Sequence, residues 1–202
     1  MNKDSFDILI VGVGGQGVLL ASEIISEVAM AAGLDVKKSE VHGMSQRGGV
    51  VSSHVKFAPK VYSPVIFHGR ADILMSFEQA EALRAIDWLH RDGVAIVSRT
   101  RLVPAIVTSS KEYSYPHDAI AELQSKLERV IPVEADQIAR ELGDQRLVNT
   151  ILIGVLSNHL PFTPQQWTEA IKKRVKAKFV DVNLAAFERG RRIKLEKHPA
   201  AR

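Results

Sequence analysis

The chain has 202 residues, of which 46% are hydrophobic and 25% are charged, which is the balance of an ordinary globular domain. This length fits one domain, and the apolar run 8–13 is far shorter than the ~18 residues of a membrane-spanning helix, so no membrane span is expected. The sequence contains no cysteine, which excludes disulfide bonds, thiolate metal sites and cysteine-ligated iron–sulfur clusters in this chain.

The net charge is +4, and the basic residues that cause this excess are concentrated after residue 171. Aromatic residues make up 6% of the chain and do not alternate with the basic ones as they would on a nucleic-acid stacking surface. The charge therefore favours a solvated helical face, or a docking surface for an acidic partner, over nucleic-acid binding. Residues 1–5 lead into a strand-like run without the apolar stretch of a secretory signal, so a cytoplasmic protein is expected.

Apolar periodicity predicts strands that alternate with helices along the chain. The predicted strands are 6–11, 34–41, 51–57, 72–77, 93–98, 103–107 and 130–133. The predicted helices are 18–32, 78–90, 118–127, 134–142, 147–160, one that begins at Thr163 and a basic one from 182 towards the C-terminus. Thr163 is a typical N-cap, and Pro164 suits the first helical turn.

This alternation predicts an α/β fold: a single Rossmann-like three-layer domain with a mainly parallel sheet. Residues 1–202 are expected to form this one domain, with a helical C-terminal extension at about 145–198. The composition shows no internal repeat and no linker-like segment.

Gly12, Gly14 and Gly17 have the spacing of a dinucleotide-binding loop between a strand and a helix. We expect Gly12 to allow a tight turn, Gly14 to let the backbone approach a phosphate, and Gly17 to let the helix pack close to the sheet. The N-terminus of the helix would offer free N–H groups and the positive end of its dipole to an anion. A tight turn that binds nothing fits the pattern equally well, whereas a Walker-type loop is excluded because no Gly-Lys-Ser/Thr follows.

A second loop, 40–49, places polar side chains among glycines. Its Arg47 guanidinium is a planar fork suited to a carboxylate or a phosphate, although Arg47 could instead brace the loop by pairing with Glu40 or Asp72. In a parallel sheet this loop would lie beside the glycine loop, at the carboxyl ends of adjacent strands, where ligands bind. The histidines are scattered and no nucleophile elbow is present, so the chain is interpreted as a binding platform rather than a self-sufficient catalyst.

Together the two loops resemble those of a known family. Residues 12–18 (GVGGQGV) and 40–49 (EVHGMSQRGG) are similar to the small subunits of indolepyruvate:ferredoxin oxidoreductases and, more broadly, to the gamma subunits or domains of 2-oxoacid:ferredoxin oxidoreductases. Further matches are 62–64 (YSP), Gly69 with Ala71-Asp72, Phe77-Glu78 with Glu81-Ala82 and Arg84, Asn149 with Gly154, and Asn183 with Ala186-Phe187. One departure is Ser98, where the family often has asparagine.

The resemblance implies a complex that oxidatively decarboxylates an aryl pyruvate to an acyl-coenzyme A and passes the electrons to ferredoxin. A large partner subunit would carry thiamine diphosphate, Mg²⁺ and the [4Fe-4S] clusters, so this chain would bind no redox cofactor or metal and would be inactive alone. Coenzyme A would be the co-substrate that this chain helps to bind. The residues that the resemblance nominates for this site are Gly12, Gly14, Gly15, Gln16, Gly17, Ser45, Gln46, Arg47, Gly48 and Gly49. Gln46 and Arg47 would face the cleft shared with the thiamine subunit.

Two alternatives to this interpretation remain. The chain could be a free-standing NAD(P)-dependent reductase, with Glu40 as the acidic residue that follows the second strand. It could also be a nucleic-acid-binding module that uses its basic tail. The sequence leaves open whether the substrate is indolepyruvate, phenylpyruvate or phenylglyoxylate.

Overall fold

The computed structural model describes residues 4–42, 49–103 and 115–195. Within these ranges six strands and seven α-helices follow one another along the chain. The strands are β1 (Phe6–Val13), β2 (Asp35–His42), β3 (Val50–Ala58), β4 (Ala71–Ser76), β5 (Leu89–Ser98) and β6 (Val130–Val133). The helices are α1 (Val18–Ala31), α2 (Gln79–Arg84), α3 (Ala119–Lys126), α4 (Ala135–Glu141), α5 (Val148–Leu156), α6 (Pro164–Arg174) and α7 (Val180–Arg191).

The strands form one sheet in the order β2-β3-β1-β4-β5-β6. β1, β4, β5 and β6 are parallel, as predicted, whereas β3 pairs antiparallel with both β1 and β2. The expectation that the second strand lies next to the first is therefore wrong, because β3 lies between them. The physical reason is the short connection 43–49, since a parallel crossover needs about a dozen residues or more whereas a hairpin does not.

Helices cover both faces of the sheet and give the three layers that the sequence predicts. Along β1, Ile8 and Ile10 point into the core cluster that contains α1, α5, α6 and α7. Leu9 and Val11 point to the other face, where the cluster includes residues of α2 and α3. This alternation along a strand buried on both sides explains why residues 8–13 read as a continuous apolar run.

The predicted helix 78–90 is shorter than expected. α2 ends at Arg84, a single 3-10 turn spans Ile86–Trp88, and β5 already begins at Leu89, which pairs with Ala71 of β4. The register shifts between this pair and the next, so residues 90–92 are an irregularity at the start of the strand. Of the predicted strand 103–107, Val103 lies in no strand and residues 104–107 fall outside the described ranges.

The C-terminal helices pack against each other at unusually short range. A Cβ atom on Gly154 of α5 would lie 2.2 Å from the carbonyl oxygen of Phe187, and one on Gly190 of α7 would lie 2.0 Å from the carbonyl oxygen of Ile151. α6 begins with the predicted Thr163 cap, which forms a reciprocal capping box with Gln166. The helical extension is thus confirmed over α5 to α7; the domain limits 1–202 stay a prediction.

Candidate active-site cleft

The glycine loop joins the carboxyl end of β1 to the N-terminus of α1. Gly12 is the last residue but one of β1, and a Cβ atom there would lie 2.9 Å from both Gln16 Oε1 and Phe77 Cβ. Glycine is therefore required at residue 12 by close packing and not, as expected, by a tight turn. The left-handed backbone angles occur later in the loop, at Gly15 (φ +99°) and Gly17 (φ +89°).

Gln16 holds the loop in this shape. Its side-chain Oε1 accepts a hydrogen bond from the backbone N–H of Val13 at 2.7 Å, and its Nε2 donates to the carbonyl of Phe77 at 3.0 Å. Both ends of the Gln16 carboxamide therefore have partners within the chain. The proposed contact of Gln16 with a cofactor stays a prediction.

Gly17 is the N-cap of α1 and provides no capping side chain. Its nearest neighbour is the side chain of Asn149 on α5, because a Cβ atom on Gly17 would lie 3.0 Å from Asn149 Nδ2. The expectation that Gly17 brings the helix close to the sheet is therefore replaced by a contact between the loop and α5. Within the described ranges no backbone carbonyl accepts from the N–H groups of Gly15, Gly17 or Val18, so the helix N-terminus is free to bind an anion.

A cleft of about 500 Å³ opens next to this helix terminus. Its walls come from the glycine loop, the segment after β5, the start of α4 and the start of α5. The lining residues are Gly15, Gln16, Gly17, Leu20, Thr100, Leu102, Asp136, Gln145, Arg146, Val148 and Asn149. A second compartment of about 300 Å³ shares Leu20, Arg146 and Asn149 with the first and extends to Arg174, Lys176 and Phe179. The cleft lies at the carboxyl edge of the parallel strands, where such folds bind ligands.

Arg146 brings a fixed positive charge to both compartments. Its guanidinium donates to both carboxylate oxygens of Asp144 at 2.7–3.2 Å and lies 4.8 Å from the centre of the Phe179 ring. These hydrogen bonds from Arg146 lower the pKa of Asp144, so the pair is ionised at neutral pH. Arg146 was not predicted as a site residue, because a basic residue in a polar turn has no sequence pattern of its own.

The wall after β5 is anchored by the buried Glu78 carboxylate. Glu78 accepts from the backbone N–H groups of Ala80 (2.8 Å) and Glu81 (3.0 Å), and from that of Leu102 at 3.2 Å. The hydroxyl of Tyr115 also donates to it, and burial together with this bond raises the pKa of Tyr115. One carboxylate thus ties residues on both sides of 104–114 to the start of α2. From the sequence, Glu78 was noted only as a match to the family, and no structural role was predicted for it.

The second predicted loop meets the glycine loop at the same edge. The N–H of Gly14 donates to the carbonyl of Gly49 at 2.9 Å, which places the start of β3 directly against the glycine loop. The expected proximity therefore holds, through a hairpin and not through adjacent parallel strands. Ser45, Gln46, Arg47 and Gly48 lie outside the described residues.

Two acidic residues that had been considered as partners of this loop are placed elsewhere or already engaged. Asp72 lies at the amino end of β4, at the opposite edge of the sheet. Glu40 accepts from Lys38 Nζ at 2.8 Å on β2, and β3 separates that strand from β1. Glu40 also accepts from Ser22 Oγ in the second turn of α1 at 3.5 Å, so two donors already engage its carboxylate. It is not among the residues that line the cleft at the glycine loop, where the ribose-binding acid of a nicotinamide site would lie.

The opposite edge of the sheet carries a different kind of surface. A cleft of about 820 Å³ is lined there by Lys56, Arg70 and Asp72 and by the exposed side chains of Tyr62 and Phe67, among others. Because it lies at the amino ends of the parallel strands and contains no helix N-terminus, we place the ligand site at the other edge. Among the described residues no group of three His, Asp or Glu side chains is arranged to hold a metal ion, and no helix is both long and apolar enough to cross a bilayer.

Fold and cleft together define an α/β domain of the Rossmann type with its ligand cleft at the carboxyl edge of the sheet. Residues 7–193 match the family model described as pyruvate ferredoxin/flavodoxin oxidoreductase, and the chain belongs to this family. Indolepyruvate oxidoreductase subunit IorB of Archaeoglobus fulgidus is 39% identical over 198 residues, which cover 96% of this chain and 98% of the relative. The resemblance based on the two loops, and with it the oxidoreductase class, is confirmed.

Solved structures share the fold at lower identity. The gamma subunit of a keto/oxoacid ferredoxin oxidoreductase from Geobacter sulfurreducens matches with a TM-score of 0.70 at 20% identity, covering 95% of this chain and 97% of its own. A 2-oxoglutarate:ferredoxin oxidoreductase from Magnetococcus marinus, with 2-oxoglutarate, coenzyme A and succinyl-CoA bound, matches with a TM-score of 0.74 at 20% identity. This match covers 95% of our chain and 31% of the other, and both matches confirm the predicted fold class.

Proposed function

We propose that this chain is the small, non-redox subunit of a thiamine-diphosphate-dependent aryl pyruvate:ferredoxin oxidoreductase, with indolepyruvate as the substrate. The complex would decarboxylate the oxoacid oxidatively to an acyl-coenzyme A. The observation that carries this proposal is the free N-terminus of α1. It faces a cleft of about 500 Å³ beside the glycine loop 12–17, which resembles the corresponding loop of the family. The name of the Archaeoglobus relative supports the choice of indolepyruvate over other oxoacids.

The cleft has the chemistry that the phosphates of coenzyme A require. Gly15 leaves room for a ligand at the loop, since a Cβ atom there would meet no atom within 4 Å. The N–H groups of the first turn of α1 would donate to the phosphate oxygens, and the guanidinium of Arg146, whose charge is offset by Asp144, would offer a further N–H donor. We assign the same site to Gly12, Gly14 and Gln16, which shape the loop, and to Ser45, Gln46, Arg47, Gly48 and Gly49, which would border the cleft shared with the partner.

The partner would supply the redox chemistry. Decarboxylation of a 2-oxoacid needs an electron sink such as the thiazolium ring, and electron delivery to ferredoxin needs redox centres. This chain has no cysteine for a cluster, so we assign thiamine diphosphate, Mg²⁺ and the [4Fe-4S] clusters to a large subunit. We further propose that the complex works in the cytoplasm, without contact to nucleic acid or membrane.

The two alternative functions have less support from the geometry. Glu40 is bonded to Lys38 on an outer strand, which disfavours a nicotinamide site that uses it. Several basic side chains of the C-terminal region form ion pairs: Lys173 and Arg174 bind Glu27, and Arg189 binds Glu141. A tail neutralised in this way is a poor phosphate-backbone surface.

The experiment is co-expression with the large subunit, followed by dye-reduction assays of the purified complex. We expect activity that requires both coenzyme A and an aryl pyruvate, with pyruvate turned over more slowly. Electron transfer that is independent of coenzyme A, or no turnover of any 2-oxoacid, would contradict the proposal.

A further inference from the structure

Asn149 is a buried polar side chain whose role neither the fold nor the proposed function has explained. It lies in the first turn of α5, only 4% exposed, and it borders both compartments of the cleft. Its closest neighbour across the chain is Gly17, the N-cap of α1. A buried carboxamide is expected to satisfy both its acceptor and its donor atoms.

Hydrogen bonds fix the orientation of the Asn149 amide. Its Oδ1 accepts from the backbone N–H of Thr150 at 2.7 Å, and a backbone N–H can only donate, so the oxygen must be on this side. The hydroxyl of Thr150 donates to Asn183 Oδ1 at 2.6 Å, while Asn183 Nδ2 donates to the carbonyl of Phe179 at 2.8 Å. With its oxygen on the Thr150 side, the Asn149 amide presents Nδ2 to Gly17 at the start of α1.

The donor atom Nδ2 has no partner within the described residues. In that part of the chain, Ser53 Oγ and Trp167 Nε1 are the unpaired side-chain polar atoms that are closed off from solvent, and Asn149 Nδ2 is not among them. Nδ2 is therefore reachable from the cleft, and it lies beside the free N–H groups at the start of α1. A donor that faces the cleft without a protein partner can bond to an acceptor on a ligand at this point.

The charges around Nδ2 indicate what kind of acceptor this is. The start of α1 is the positive end of a helix dipole, and its first turn, which is described in full, contains no acidic side chain. Arg146 borders the same compartments, and the nearby Asp144 is already neutralised by it. Asp136, on the α4 wall, is the remaining carboxylate among the residues that line the first compartment. The backbone N–H groups of α1 and Asn149 Nδ2 are thus neighbouring donors at the positive end of a helix dipole, which suits a phosphate oxygen.

We propose that Asn149 Nδ2 donates to an oxygen of a phosphate group that the N-terminus of α1 holds, and that the backbone N–H of Thr150 positions this amide. The inference rests on the proposed function in one respect: it assigns that phosphate to the pyrophosphate of coenzyme A. Asn149 thus provides a side-chain contact that links α5 to the ligand, in addition to the backbone contacts of the glycine loop.

Asn149→Asp in the assembled complex tests this contact. The aspartate keeps an oxygen for the N–H of Thr150, and an acidic residue in the first turn of a helix is compatible with the dipole, so the fold should survive. Its negative charge would face the phosphate in place of a donor. We expect the dissociation constant for coenzyme A, and that for inorganic pyrophosphate, to rise at least about tenfold by calorimetry.

Three further arms make the result specific. Gln165→Glu is the matched control, because Gln165 occupies the same position in α6 and is exposed away from the cleft; it should bind coenzyme A like the parent. Thr150→Val removes a hydroxyl whose proton goes to Asn183 but keeps the backbone N–H that holds Asn149, so it should weaken binding less than Asn149→Asp. Pantetheine, which has no phosphate, should show the same KM as an acyl acceptor with the parent and with Asn149→Asp.

The outcomes separate this inference from the proposed function. If the parent complex uses coenzyme A and a folded Asn149→Asp complex binds it and pyrophosphate with parental affinity, the contact is wrong and the proposed function stands. If Asn149→Asp weakens the binding of coenzyme A and that of pantetheine equally, the residue affects the cleft as a whole, which also overturns the inference. A third outcome is that the parent binds pyrophosphate, that Asn149→Asp binds it more weakly, and that the parent shows no turnover with coenzyme A. In that case the phosphate contact stands and the proposed function fails.

Discussion

Gly15 and Gly17 share a left-handed backbone but differ in their surroundings. A Cβ atom on Gly15 would meet no atom within 4 Å, whereas one on Gly17 would lie 3.0 Å from Asn149 Nδ2. Alanine at either residue costs about 1–2 kcal/mol for the left-handed conformation. We therefore expect Gly17→Ala to lower the melting temperature more than Gly15→Ala, because Asn149 must also shift. Equal losses in thermal unfolding would show that the contact with Asn149 carries no stability.

Arg47 is the residue of the second loop whose replacement we expect to affect ligand binding most. Arg47→Ala should leave the subunit folded, because the guanidinium that we propose to face the cleft would contribute little to the core. In the complex, the loss of one charged hydrogen bond of about 1.5–3 kcal/mol should raise the KM for coenzyme A or for the oxoacid about ten- to a hundredfold. Steady-state kinetics of the assembled enzyme measures this change.

Arg47→Lys is the matched variant, because lysine keeps the charge but lacks the planar fork. If Arg47 binds its ligand through two parallel hydrogen bonds, the lysine variant should lose most of the affinity as well. Parental kinetics in both variants would indicate that Arg47 only braces its own loop.

At the level of elements, α1 and α6 are joined by ion pairs on the surface. Glu27 accepts from Lys173 Nζ and from Arg174 Nη2, each at 3.0 Å. The hydrogen bond from Lys173, followed by that from Arg174, lowers the pKa of Glu27 below its ordinary value of 4.5. The stabilisation is therefore present above pH 4.5 and is lost as the pH falls through the lower folded-state pKa.

Glu27→Gln should reduce the free energy of unfolding at pH 7 by no more than about 1 kcal/mol, since these pairs are partly exposed. The difference between parent and variant should shrink as the pH is lowered below 4.5, and it should also shrink at high salt. Urea unfolding at several pH values measures both trends. A difference that grows towards acid pH would contradict the assignment.

The elements that the sequence predicts well are those with local signals. β1, the glycine loop and α1 follow from an apolar run, three glycines and a helical repeat that stops at Gly33, and Thr163 to Gln166 is a cap readable from four residues. The end of α2 was missed because Ile86 and Leu89 continue a helical spacing, whereas the pairing of Leu89 with Ala71 makes Leu89 part of a strand. Only tertiary pairing carries that information.

The candidate site divides in the same way. The glycine loop was found from spacing alone, and its nearness to Gly49 follows once β3 is paired with β1. Asn149, Arg146 and Glu78 were not assigned a role, because each becomes informative only beside a residue distant in sequence. A buried polar residue at the start of an apolar helix, such as Asn149, is the one signal that could have drawn attention earlier.

At the level of the whole molecule, the two edges of the sheet have different surfaces. The carboxyl edge holds the candidate cleft, and the amino edge displays Tyr62 (89% exposed) and Phe67 (72% exposed). The segment that carries them is held in place by His54, whose Nδ1 accepts from the N–H of Ile66 at 3.1 Å and whose pKa is lowered by burial. Large exposed aromatic side chains on an anchored segment are typical of a surface that a partner covers.

The chain purified alone should be colourless, free of iron and thiamine, and inactive towards 2-oxoacids with any acceptor. It should also self-associate, because Tyr62 and Phe67 are exposed without a partner subunit. Metal analysis, dye-reduction assays and light scattering measure these properties, with the co-expressed complex as the positive control. Oxoacid-dependent dye reduction by the metal-free chain would contradict a subunit role.

The bond between Gly14 and Gly49 has a consequence for hydrogen exchange. The Gly14 amide donates to the carbonyl of Gly49, directly before β3. The amides of Gly15 and Gly17 have no backbone acceptor among the described residues. The amides of Gly15 and Gly17 should therefore exchange with deuterium as soon as solvent reaches them. The amide of Gly14 should exchange only when β3 separates from β1. Within one short loop, the exchange rates of Gly15 and Gly17 thus report whether the cleft is occupied, and the exchange rate of Gly14 reports the opening of the hairpin.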